Sequence, residues 1–446
     1  MLMKKILLIC NDVIGFKMAG PAIRCLEIGK SLSTKFDVTV AAKNLDADYL
    51  PGVKVCPATN AAINAAAKVA DLIIIQGDAL VRYPQLKDTV AVLVADMYCP
   101  IPLEYHQSSQ RTPAESRFEL SCHVTKVMFD QLIYADHFLC ASIRQRDFWA
   151  GALTMAGRIN GFAMPNALHT GLEHFFSVLP FGLPDVEAST TKHQLRDKFR
   201  LKSTDFVMVW GGGLYEWFDV LTVIRAVAQL SNSGHAVHLV FLGVKHPNPD
   251  ILAHDCVGEA VQLSKDLGLY EKHVHFNFGW VDYAVRHEYL LDADLGVSCH
   301  FDNFETRYSF RTRMLDYLWC GLPILATKGD IFEELIVANK IGAAIGYQDV
   351  EGWCNEIEAM IDDSNLVDER RRNSRSLGRD FKWSKTTSIF LDRCADLTVQ
   401  EDRARIRRLN KPASNGMVRL ARQVVSVYQR RGLLGVIKKA MQGVIK

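Results

Sequence analysis

The sequence predicts an α/β protein made of two doubly wound, Rossmann-like domains in series, followed by a basic amphipathic helical tail. Three observations point there. With 446 residues the chain exceeds what a single core usually serves. Apolar runs of strand length alternate with helical patterns, stop at a polar stretch from Asp185 to Asp205, and then start again. From Arg403 to Lys446 there are twelve Lys or Arg and no acid, whereas the 402 residues before carry 40 basic and 50 acidic side chains. The expected division is 1–185, 186–390 and 391–446.

In the first domain, Lys5–Cys10, Phe36–Ala41, Asp71–Gln76, Val90–Ala95 and His137–Ala141 are rich in Val, Ile and Leu with few alternating polar residues. That is the pattern of parallel strands covered on both faces, whose ligands bind beyond their carboxyl ends. After the first run, Gly15 to Arg24 leads into a helix with Ile23, Leu26 and Leu32 on one face. Gly20 permits close backbone approach, Pro21 suits the first helical position, and Arg24 adds charge to the first turn. Asp96 stands at the carboxyl end of the fourth run, with His106 further along. A carboxylate there suits an acceptor hydroxyl, and equally a turn or a helix cap. Leu179-Pro-Phe-Gly-Leu-Pro184 closes the domain.

The second domain restarts at Phe206–Trp210. Gly211, Gly212 and Gly213 let a ligand approach the backbone before a helix from Asp219 to Leu230. Two phosphate motifs fail on spacing: Glu216 stands where a dinucleotide fingerprint needs its third Gly, and Arg24 where a loop through Gly29-Lys30-Ser31 needs its first. Val237–Gly243 is a strand that ends near Lys245, Val274–Val281 contains Gly279-Trp280, and Asp292–Val297 leads into Glu305–Thr327. In this last stretch Arg307, Arg311 and Arg313 crowd Ser309 and Phe310. Met314, Leu315, Leu318 and Trp319 then recur at helical spacing up to Gly321 and Pro323. A helix N-terminus with Arg311 and Arg313 suits a phosphate, and Asp316, further in, suits sugar hydroxyls. The competing reading is a surface helix with solvated arginines.

The stretch from Gly279 to Thr327 resembles retaining glycosyltransferases of family 4, which have the GT-B fold, and looser similarity covers most of residues 5 to 390. Counting back from Gly321 and Pro323, Asp316 falls on the family's second Glu, implied to hold a nucleotide ribose, and Phe310 on the aromatic of a Gly-Phe-Gly. Tyr308 falls on the first Glu, implied to touch the donor sugar, so that contact is left to Glu305 if any carboxylate makes it. The Gly20 loop, Ala141–Trp149 and Leu179–Pro184 also look like family segments. In the turn Gly211–Gly213 the family usually has an Arg and then a Lys-Gly that grip the diphosphate; neither is present, which leaves Arg311, Arg313 and Lys245. The resemblance implies a base frame near Trp280, whose ring equally reads as packing. It also places Asp96 near a first-domain His that lies beside the reacting centre in the family.

Composition agrees with a soluble globular chain, and a net charge of +2 is too small to argue for nucleic acid. The eleven cysteines are scattered, without Cys-x-x-Cys or zinc spacing, and read as reduced. No metal or cofactor is expected beyond a nucleotide-sugar co-substrate. In the tail, Met417, Leu420, Val424 and Tyr428 fall on an apolar side among arginines and lysines, as in helices that lie on anionic membranes; docking on the body and nucleic-acid contact are the alternatives. The expectation is a cytoplasmic enzyme, peripheral at the inner face of the membrane, that moves a sugar with retention to a glycan or lipid-linked acceptor in surface polysaccharide assembly. A nucleotide-sugar epimerase and a non-catalytic assembly partner are the competing readings.

Overall fold

Short runs of buried Val, Ile and Leu pair into two parallel sheets in the computed structural model, which describes residues 3–44, 53–164, 171–244 and 255–410. The first sheet contains β1 (Lys5–Ile9), β2 (Asp37–Ala42), β3 (Lys54–Pro57), β4 (Leu72–Gln76), β5 (Val92–Asp96), β6 (His137–Cys140) and β7 (Phe176–Val178). Its order is β3-β2-β1-β4-β5-β6-β7. The second contains β8 (Phe206–Trp210), β9 (Val237–Phe241), β10 (Val274–Phe276), β11 (Leu295–Ser298), β12 (Ile324–Thr327) and β13 (Gly342–Ile345), in the order β10-β9-β8-β11-β12-β13. In each sheet the winding reverses beside the first strand, between β1 and β4 and between β8 and β11. At such points the connections diverge and leave a crevice at the carboxyl ends.

The expected strands are present, with ends shifted by one or two residues. Val90 is exposed and β5 begins at Val92, so Asp96 is the last strand residue rather than the one after it. β10 stops at Phe276, because the Asn277 side chain turns to donate to Leu242 O at 2.7 Å and the chain leaves the sheet. The edge strands β3 and β7 were not expected. One is largely solvated and ends in Pro57, and the other is three residues long.

Beyond Phe381 the chain returns to the first sheet. Leu183 N–H donates to Phe381 O at 2.6 Å, Trp383 N–H donates to Leu183 O at 2.8 Å, and the Trp383 indole fills the space over Gly182. The helix Ser388–Asp396 follows, with Lys4 Nζ donating to Cys394 O at 2.8 Å. Both sheets therefore belong to one unit, Met1–Glu401. That helix runs through residue 390, where the sequence placed the start of the tail. The second unit, Asp402–Lys446, is described only as far as the helix Arg403–Asn410; the amphipathic pattern expected from Met417 onward lies outside the described residues, as does Lys245.

One side chain joins the second sheet to the helix Arg313–Cys320. Tyr317 is fully buried; its hydroxyl accepts from Gly211 N–H at 2.8 Å and shares its proton between Val209 O at 3.1 Å and Val297 O at 3.0 Å. Its ring occupies the space where a side chain on Gly296 would project. Tyr317→Phe leaves the Gly211 N–H unpaired in the interior, and is expected to lower stability by about 1–3 kcal/mol. An unchanged urea midpoint would show that the hydroxyl carries no such burden.

Candidate functional site

The site is built where β8 ends. Trp210 is followed by Gly211 to Gly213, and Gly212 has φ +78°, a left-handed conformation that glycine adopts without strain. Facing this loop is the helix Arg313–Cys320, stopped by Gly321 in the αL conformation. Arg313, on its first turn, lies between the rings of Trp210 and Phe218, with Cζ 4.5 and 4.3 Å from their centroids, and its Nη2 donates to Gly213 O at 2.9 Å. Its Nη1 is buried without a hydrogen-bond partner, and among the described residues no carboxylate pairs with it. Burial holds this guanidinium down at about 10, with the Arg311 charge adding to the effect against the Tyr317 and Tyr215 hydroxyls.

A cavity of about 150 Å³ opens against these groups. It brings together seven residues named from the sequence: Gly20 from the first domain, Gly211, Gly212, Gly213, Trp280, Arg313 and Asp316 from the second. The end near Arg313 is cationic and rich in backbone amides. Leu242, Val281, Tyr283 and Leu290 add apolar surface to the lining. Trp280 packs its ring on Gly243, and its Nε1 donates to Met18 O of the first domain at 3.1 Å.

Among the described residues Asp316 is the one carboxylate on the cavity's lining, and Arg286, which sequence reasoning missed, stands beside it. Arg286 Nε donates to Asp316 Oδ1 at 2.9 Å. Nothing local announces Arg286. It lies in a five-residue helix, 30 residues before its partner, and only the fold brings the two together.

Five other expected residues do not line the cavity, for identifiable reasons. Glu305 is fully buried and takes Arg311 in a two-point ion pair, Oε1–Nη1 2.9 Å and Oε2–Nη2 2.7 Å. The expectation that Arg311 faces phosphate and Glu305 a sugar is thus corrected: each satisfies the other. Ser309 Oγ donates to Thr306 O at 3.0 Å, and Phe310 stacks on Phe181 with centroids 6.0 Å apart. Asp96 is buried, with both oxygens engaged by Arg24 Nε at 3.0 and 2.8 Å and by Gln76 Nε2 at 3.0 Å. It is a structural partner of Arg24, with no oxygen left for an acceptor hydroxyl. No group of three or more His, Cys, Asp or Glu among the described residues could hold a metal ion.

A carboxyl of the first domain does stand near this centre. Glu104, on the half-buried helix Ile101–Ser108, is pushed up to about 7 by burial and then by the charge of Glu305, against the pull of Arg311.

Residues 205–363 match the sequence model of the family described as Glycosyl transferases group 1. No curated protein matches the chain. Among solved structures, sucrose-phosphate synthase (tll1590) from Thermosynechococcus elongatus is similar with a TM-score of 0.67 and 15% identity, over 88% of this chain and 98% of that one. Alr3699/HepE of Anabaena, in complex with UDP-glucose, gives 0.63 and 18%, over 88% and 100%. WaaG, a glycosyltransferase involved in lipopolysaccharide biosynthesis, gives 0.60 and 16%, over 88% and 98%. The shared architecture is the GT-B fold, and the cavity lies at the carboxyl edge of the second sheet.

Glu104 predicts a pH dependence. Its pKa in the folded chain lies above the ordinary 4.5, so the stability it contributes is complete below that value and is lost as pH rises through about 7. Glu104→Gln, which mimics the protonated form, is expected to gain in Tm relative to the wild type between pH 5 and 8. A Tm difference that stays constant over that range would refute the assignment.

Proposed function

We propose that the protein is a glycosyltransferase that binds a nucleotide-sugar donor in the cavity beside Arg313 and passes the sugar, with retention, to an acceptor held by the first domain. The observation that carries this reading is Arg313 itself. A buried guanidinium with a free Nη1 and no carboxylate partner, next to a glycine loop at the end of β8, is built to meet an anion brought by a ligand. The apolar side chains of the lining suit a base and Asp316 suits hydroxyls, so the cavity offers the kinds of group a nucleoside diphosphate needs.

In such a reaction the bond from the anomeric carbon to the diphosphate breaks as the acceptor oxygen bonds to that carbon, and the acceptor proton passes to the departing phosphate oxygen. Charge therefore builds on the diphosphate. Arg313 and the amides of Gly212 and Gly213 lower the barrier by being fixed around that charge, and the reading assigns neutralisation to them rather than to a metal ion. Retention follows the resemblance to family 4. The lipid-linked acceptor and a place in surface polysaccharide assembly rest on the basic tail.

Calorimetry against the common nucleoside diphosphates tests the donor site. Binding of at least one is expected, and Arg313→Ala should weaken it by about 2 kcal/mol with the fold intact, as for loss of a charge-assisted phosphate contact. No binding to any of them would reject the transferase reading.

The proposed peripheral placement has its own test. Among the described residues no helix is long and apolar enough to cross a membrane. Each Lys or Arg near an anionic bilayer contributes about 1 kcal/mol, so the basic tail should bring the protein down with anionic vesicles at low salt and release it at high salt. Removal of residues 415–446 should abolish sedimentation and leave nucleotide binding unchanged. Sedimentation of the shortened protein would assign membrane contact elsewhere.

A further inference from the structure

The two halves of the unit Met1–Glu401 are joined covalently at a single place. The chain leaves the first sheet after Leu183 and returns after Phe381, and these crossings lie side by side, with Leu183 paired to Lys382 in a parallel bridge. Away from that double crossing the halves meet through side chains and isolated hydrogen bonds, such as Tyr283 N–H to Phe16 O at 2.9 Å and Arg144 Nη1 to Gly329 O at 2.9 Å. Parting them about the crossing therefore breaks no element of either sheet.

One segment of the first domain meets that gap with opposite tendencies. The helix Ile101–Ser108 packs on the helix Phe304–Tyr308 of the second domain. Just past its end, Arg111 reaches Glu259 Oε1 at 2.6 Å, Asp255 Oδ2 at 3.7 Å and Glu216 Oε2 at 3.9 Å, an exposed clasp. Glu104, on the same helix, faces Glu305 and Arg311 of the second domain and the Cys99 thiol of its own. Arg311 is already paired with Glu305, so an ionised Glu104 meets a carboxylate in a desolvated gap, with a spent cation beside it. Its charge also bears on Tyr98, Tyr105 and the cavity residue Tyr215.

We infer that Glu104 is a proton-controlled wedge: neutral, it lets the helix Ile101–Ser108 seat against the second domain; ionised, it drives the halves apart about the double crossing. The cavity is split by that motion, because Met18, Ala19, Gly20 and Ile23 come from one half and the rest of its lining from the other. The direction follows from linkage. Burial and then the Glu305 charge hold the carboxyl at about 7 in the closed form, and separation returns it towards 4.5. Closure is therefore favoured fully below 4.5, loses ground as pH rises to about 7, and stays at its lowest above that. The wedge acts whatever ligand the cavity takes, and so stands apart from the donor reading.

Amide hydrogen exchange of the full-length protein, followed by mass spectrometry, tests this at Tyr283, whose N–H crosses the gap to Phe16 O. Corrected for the intrinsic exchange rate, protection there is expected to fall about thirtyfold between pH 5.5 and 8.5, the change that a carboxyl moving between about 7 and 4.5 allows. Glu104→Gln should hold protection constant over that range, and Glu104→Asp should retain part of the fall. Arg111→Ala should lower protection by about two- to fivefold at every pH and leave the pH ratio unchanged, as for loss of an exposed pair. A fall confined to peptides of 101–108, with Tyr283 unmoved, means local fraying of the helix and overturns the proposal. So does a fall at Tyr283 that persists in Glu104→Gln. If Glu104→Gln does not fold, Glu104→Met replaces it, and if neither folds the wild-type profiles at Tyr283 and at 101–108 decide.

Discussion

The hydroxyl of Tyr317 is where the second domain's sheet, glycine loop and functional helix meet. A phenol has one proton and two lone pairs, and here both capacities are used by the backbone of β8, of β11 and of Gly211. Since every bond ends on main chain, the helix cannot slide or rotate without unpairing a buried polar group. Arg313 precedes Tyr317 by four residues and Asp316 by one, so fixing the phenol fixes both. The sequence accommodates this with Gly296, whose missing side chain leaves room for the ring.

The first domain reaches the same centre through a buried ion pair. Arg24, fully buried between the rings of Tyr98 and Phe181, joins Asp96 at the end of β5 to Leu179 O just after β7. Such a pair gains little net stability once desolvation is counted, but it tolerates few geometries. It thereby sets the start of the helix Gly20–Ser33, and with it Gly20, which abuts Phe181. Contacts across to the second domain include three that end on backbone, Trp280 Nε1 to Met18 O, Tyr283 N–H to Phe16 O at 2.9 Å and Gln145 Nε2 to Tyr308 O at 2.8 Å, and the ion pairs Arg111–Glu259 and Arg144–Glu334.

Much of this was legible in the chain, because periodicity and glycine placement act locally. Buried parallel strands read as unbroken apolar runs, and the loops at Gly20 and Gly211 stood out by composition. Arg313 and Asp316 followed from helical spacing. What could not be read is which charges find each other. Glu305 and Arg311 looked like site residues because of where they stand, yet the short helix Phe304–Tyr308 and the turn after it bring them into mutual contact and away from the cavity. Asp96 likewise met a cation 72 residues earlier in the chain. Arg286 was missed for the converse reason: its partner lies 30 residues on, and its segment carries no pattern. Glu104, in Pro-Ile-Pro-Leu-Glu-Tyr, had an apolar neighbourhood as its only signal.

The cation of this site comes from the helix rather than from the turn after β8, and that has an electrostatic consequence. Arg311 is cancelled by Glu305, so Arg313 is left as the cation facing Gly213, in surroundings of Trp210 and Phe218 where a charge is weakly screened. At about 10 its pKa still leaves it charged at neutral pH. An incoming anion gains more there than from a solvated lysine, and it reaches the cation only where the glycine loop has no side chains to obstruct it. Glu104 tempers the same field: neutral below about pH 7, it leaves the Glu305–Arg311 pair balanced, and ionised above that it adds a negative charge on the first domain's side. Cation, carboxylate and loop are thus tied to one phenol, and a displacement of that helix would carry Arg313 and Asp316 together.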